Sequence, residues 1–229
     1  MTALTLTVRG SARAELAPER ATVRFTVSAD GAERDAVLEA ARTALARTTA
    51  ALESHAAATT AASTTATAAL EWSVDQLAVS AQRPWTNDGS QAPLVHRASA
   101  QGRAVVPGDG AAAAALVDAL AADALVTIDG VEWSLTEATA ARARADVRAR
   151  AVADALEAAE TLASAVGRPS IQVTALADPG MLDGGGSGGG PQPRFEKAMA
   201  MAADMGGGFT LQPQPIVVEA AVDARFSAA

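Results

Sequence analysis

At 229 residues the chain is long enough to bury a core, but that core is thin: hydrophobic residues make up 49%, much of this alanine, and aromatics only 3% with no tyrosine. A formal net charge of -8 argues against nucleic acid and anionic lipid as partners, since both demand a concentrated basic surface. The absence of cysteine excludes disulfides, thiolate metal sites and cysteine nucleophiles.

No stretch reaches the roughly 18 uninterrupted apolar residues that a transmembrane helix needs. The start alternates threonine with Leu4, Leu6 and Val8, which reads as a strand and not as a secretory leader, so the chain as written is expected to stay in the cytoplasm. Val23, Phe25 and Val27 repeat the two-residue period. With Gly10 to Glu19 read as a short connection holding Pro18, these segments predict two antiparallel strands joined to each other. Asp30 followed by Glu33 resembles an acidic capping box. Val37, Ala41, Ala44, Leu45, Thr48 and Leu52 then predict a first helix from Ala32 to Ser54.

His55 to Ala69, nearly all alanine, threonine and serine, reads as a helix end and a loop. A strand near Gln76 carries Leu77, Val79 and Ala81, and a second runs from Leu94 to Val106. Thr86 to Ser90 between them makes a hairpin loop. Asp109 is placed to cap a short helix marked by Ala112, Leu116, Leu120 and Ala124. Val126, Ile128, Val131, Trp133 and Leu135 alternate across Asp129-Gly130, which predicts a bulge or tight turn.

The longest helix is expected over Ala138 to Val166. Val147, Ala151, Ala155, Ala158, Leu162 and Val166 form its stripe, Ser134 and Glu137 its capping box, and Gly167 with Pro169 its stop. Ile171, Val173 and Ala175 begin a further strand. Residues 178–215 form a Gly/Met/Pro-rich insertion read as flexible, after which Ile216 to Phe226 alternates through a long strand that must return to a sheet already built.

The chemistry-bearing residues are few. Gly184, Gly186 and Gly189 match a dinucleotide spacing only because the run is almost all glycine, with no helix opening on it. His55 and His96 lack a neighbouring ligand at helical spacing, and no G-x-S-x-G elbow is present. Arg142, Arg144, Arg148 and Arg150 share their helix with Asp146 and Asp154, so a self-neutralising face is the simpler reading. Met199, Met201 and Met205 could offer soft ligands or adaptable apolar surface. Neither a cofactor, a metal site nor a catalytic residue is assigned. The residues marked for interaction are Arg97, Trp85 and Trp133, because arginine and tryptophan anchor contacts in a chain otherwise dominated by alanine.

Several runs, in this order, resemble the SIMPL domain (DUF541) family: Leu6-Thr7-Val8-Arg9-Gly10 with Pro18 and Ala21-Thr22-Val23; His96-Arg97-Ala98-Ser99; Asp129 to Leu135; Leu162 to Gly167; and the closing strand. The resemblance implies one domain over residues 1–229, α+β in class, made of two interwoven subdomains of mainly antiparallel sheet with helices packed on one face. Similar bacterial proteins are typically exported, some are tied to oxidative-stress tolerance, and at least one forms a ring-like oligomer. No catalytic residues are agreed for the family. This chain departs from the pattern in its start and in His96, where tyrosine is common. The expectation is a non-enzymatic, self-associating scaffold or binding module, a homo-oligomer with a possible stress role. The alternative is a ligand-binding protein or enzyme with a pocket between the subdomains.

Overall fold

The computed structural model describes residues 4–62, 70–84, 92–108, 110–182 and 211–229. Their elements in chain order are β1 (Leu4–Leu16), β2 (Arg20–Gly31), α1 (Arg34–Ala62), β3 (Glu71–Val74), β4 (Ala78–Gln82), β5 (Val95–Pro107), α2 (Gly110–Ala121), β6 (Val126–Ser134), α3 (Glu137–Ala165), β7 (Ile171–Ala177) and β8 (Ile216–Ala228). The class is α+β, with two antiparallel sheets. Among the described residues no helix is long and apolar enough to cross a membrane.

The described residues cluster into two compact units, the first built from 4–17, 135–182 and 215–229, the second from the described parts of 18–134 with 211–214. In the first, the strand order is β1-β8-β7. The late strand does return, and it takes the central place: β8 pairs with β1 along its whole length, from Leu4↔Ala228 to Leu16↔Ile216, and with β7 on its other side. The period-two pattern puts Val218, Val222, Ala224 and Phe226 on the face covered by α3.

Helix α3 meets that face through alanine. Ala143, Val147, Ala151, Ala155, Ala159 and Ala163 are buried, while Leu162 and Val166, expected in the stripe, are exposed. The reason is proximity. A Cβ on Gly10 of β1 would overlap the Ala151 carbonyl and lie 2.5 Å from the Ala155 nitrogen, so the helix rests on bare backbone and its contact row must be small. Ser134 is not the cap. Thr136 is, its Oγ1 accepting from the Thr139 N–H at 3.3 Å. The stop follows expectation: Gly167 takes φ +73°, with Gly167 N–H on Ser164 O and Arg168 N–H on Ala163 O, a Schellman closure.

In the second unit the order is β3-β5-β2-β6, with β4 also paired to β5. The first two strands therefore do not form a hairpin. β1 and β2 belong to different sheets, because the alternation of Ser11 to Leu16 carries β1 past Gly10 and only Pro18 ends it. One face of β2 buries Ala21, Val23, Phe25, Val27 and Ala29 against α1 and α2, which contribute Ala44, Leu52, Leu116 and Leu120.

Asp30 does not cap α1. It lies within β2, one residue before its end, with its carboxylate on Arg97, and the N–H of Val37 in the first turn of α1 goes to the Glu33 carbonyl. α1 runs on to Ala62, past the expected end at Ser54, since the alanine-rich stretch keeps high helix propensity. The segment near Gln76 holds two short strands, β3 and β4, each antiparallel to β5. α2 buries Ala113, Leu116, Val117 and Leu120, and Ala124 falls outside it. The bulge at Asp129-Gly130 is present: opposite β2 the register jumps from Gly130 to Ile128, with Gly130 at φ +153°. Asp109, the hairpin loop at Thr86 to Ser90, the glycine run and the three clustered methionines lie outside the described residues.

Candidate functional site

The open face of the second unit's sheet gathers most of its charge. Alternation in β2 sends Arg20, Thr22, Arg24, Thr26, Ser28 and Asp30 to the side opposite the core. The β2–β5 register sets Asp30 across from Arg97, Thr26 across from Gln101 and Arg24 directly across from Arg103. β3 adds Glu71 and Ser73, opposite Val105 and Arg103, and the Asp75 N–H reaches the Gln101 carbonyl at 2.8 Å. On the far side the bulge in β6 makes Asp129 an extra residue, and this extra residue is what turns its carboxylate to the open face, where Thr26 Oγ1 donates to it at 2.7 Å.

Most of these charges are tied across strands. Arg97 holds Asp30 with two bonds, 2.7 and 3.0 Å, and Arg20 holds Glu71 at 2.9 Å. Arg24 Nη2 reaches Glu132 at 3.1 Å. Arg103 is different: among the described residues its side chain donates to a neutral group, Ser73 Oγ, at 3.2 Å, with no carboxylate in ion-pair range. The Arg97 donors hold the Asp30 carboxyl below the usual carboxylate range, and Asp30 in turn raises the Arg97 guanidinium.

A depression of about 520 Å³ lies at the centre of this face, lined by Arg24, Phe25, Ser73, Asp75, Gln101, Gly102, Arg103 and Asp129. A neighbouring hollow of about 310 Å³ is bounded by Arg20, Glu71, Trp72 and Ser134, with Arg103 again on its wall. Chemically the face offers guanidinium groups for an anion beside carboxylates for a cation.

The residues marked from the sequence are placed apart. Arg97 stands on this face at the far end of β5, fully engaged by Asp30. Trp133 is 5% exposed, on the core side of β6 opposite Ala21, and its indole N–H meets no acceptor among the described residues. Trp85 lies outside the described residues. On α3 the arginine face expected to neutralise itself holds one such ion pair among the described residues, Asp146–Arg150 at 3.1 Å. Arg24, Arg103, Asp75 and Asp129 went unmarked. The alternation Arg20-Thr22-Arg24-Thr26 was their one local signal, and it says nothing of which strand lies opposite.

A second exposed feature belongs to the first unit. β7 is an edge strand, paired among the described residues with β8 alone. Val173 and Leu176 sit opposite Phe226 and Ala224, hence on the face that α3 covers elsewhere, yet they are 58% and 51% exposed. Thr174 is the extra residue of a bulge, its hydroxyl donating to the Arg225 carbonyl at 3.0 Å. Among the described residues no group of three or more His, Cys, Asp or Glu could hold a metal ion.

A family profile described as SIMPL, protein of unknown function (DUF541), matches residues 6–226. No curated protein matches the chain.

Proposed function

The chain belongs to the SIMPL family, whose function is unknown (DUF541), and on that premise we propose that it is a non-enzymatic binding module that associates with further copies of itself. The observation that carries the reading is the β7 edge. Its seven residues, Ile171 to Ala177, hold no charge, in a chain with 18 basic and 26 acidic residues. Edge strands are ordinarily guarded by lysine, proline, inward charge or a bulge, and of these β7 carries the bulge at Thr174 alone among its described residues. An uncharged one, with Val173 and Leu176 exposed among the described residues, suits antiparallel pairing with the same strand of a second copy about a two-fold axis. There the residues facing each other are neutral, so the pairing sets no like charges opposite one another and has only the general repulsion between two copies of net charge -8 to outweigh. A part in stress tolerance belongs to the same proposal, resting on the family resemblance.

Light scattering over a wide concentration range tests it. The expected result is a mass above the 22.9 kDa of one chain, returning to the single-chain value in a Val173→Lys, Leu176→Lys variant. A single-chain mass at every concentration of the unaltered protein overturns the proposal.

A further inference from the structure

The pairing of Arg24 with Arg103 needs an explanation that the fold itself does not provide. Like charges directly opposite on antiparallel strands are destabilising, and these two are opposed in register on an open face. Glu132 answers Arg24. Arg103 is left, among the described residues, with one neutral acceptor on its Nε and no ion pair.

The neighbouring row of the sheet carries the opposite sign. One step of two residues along the strands, about 7 Å, Gln101 of β5 faces Thr26 of β2, flanked on one side by Asp75, the residue just after β3, and on the other by the β6 bulge residue Asp129, which meets Thr26 through its side chain although the register partner of Thr26 is Thr127. Thr26 fixes the Asp129 carboxylate at 2.7 Å. A cationic row therefore lies beside a row with acidic ends and neutral hydrogen-bonding groups at its centre. Both rows line the depression of about 520 Å³, a volume within the usual range for small-molecule sites. A bare polyanion would meet Asp75 and Asp129 as it approached the arginines, and a bare cation would meet the arginines.

We infer that this face is a binding site for a small zwitterion, with the ligand's carboxylate taken by Arg103 and Arg24 and its ammonium group, about two residues' length away along the strand, taken by Asp129 beside Thr26 and Gln101. The site lies wholly within the second unit and is independent of the β7 edge.

The test uses the full chain and ε-aminocaproate, an unbranched zwitterion with well-separated ends, alongside caproate and hexylamine as single-charge controls. Amide chemical shifts are followed by NMR. Saturable shifts are expected at Arg24, Gly102, Arg103 and Asp129, with each control binding about tenfold or more weakly, and with a like loss for ε-aminocaproate in Arg103→Gln and in Asp129→Asn. Both replacements sit on an exposed face, and unchanged shifts in the core of each variant verify its fold. The inference is overturned if ε-aminocaproate gives no saturable shift, if caproate binds as well as the zwitterion, or if Arg103→Gln binds as the parent does.

Discussion

Asp223 shows how single residues fasten the first unit. It lies opposite Arg9 in the β1–β8 register, accepts from Arg9 Nε at 2.7 Å and Nη2 at 3.2 Å, and takes the Gly180 N–H at 2.7 Å. Its side chain is only 13% exposed. The Arg9 donors first, then the Gly180 N–H, hold its carboxyl below the usual range. Asp123, held by the Leu125 N–H and Arg47, is shifted the same way, as is Asp30. A depressed folded value means that the unfolded chain takes the proton more readily. The stabilisation is therefore complete above the unfolded carboxylate value, near 3.9, and is lost as pH falls through the lower folded one. Denaturation followed from pH 6 down to about pH 2 should show stability falling through the acid range, and Asp223→Asn should flatten part of that fall. An identical acid dependence in the variant would remove Asp223 from the account. None of this linkage was readable locally. Asp30 looked like a helix cap because Glu33 follows it, and its true partner, Arg97, is set by a strand register that a linear pattern does not contain.

Elements were legible where backbone rules act over a few residues. Gly167 and Pro169 marked the end of α3, and Asp129-Gly130 marked the bulge, because positive φ is a glycine property wherever it occurs. The buried side of α3 was harder. Weighting by side-chain size selects Leu162 and Val166, yet what decides is how close the helix comes, and Gly10 brings it close enough that alanine is the residue that fits. Gly10→Ala should then cost about 1–3 kcal/mol through overpacking, since the helix must move off β1 to admit the methyl. Chemical denaturation measures this directly, and a loss well under 1 kcal/mol would show that α3 does not rest on the Gly10 backbone. Enlarging an exposed position of the same helix, such as Ala153, should have little effect, as an internal comparison.

For the whole molecule, the alternation from Ile216 to Phe226 announced a long strand that had to rejoin a sheet, and it does. Which strand receives it was hidden. β1 and β2 are separated by only a few residues and looked like a hairpin, but each finds its partners far along the chain. The same blindness to long-range register hid the Arg24–Arg103 pair, so the proposed zwitterion site emerges only once the sheet is assembled. Because β8 stands between β1 and β7, it carries every strand pairing of the first unit's sheet among the described residues, and α3 packs on the face it completes. The most direct measurement is scanning calorimetry of the full chain against a chain ending at Pro215. The account predicts that removing the middle strand abolishes the first unit's share of the unfolding transition, with a clear fall in melting temperature and enthalpy. A truncated chain that melts as the full one does would contradict the topology at its centre.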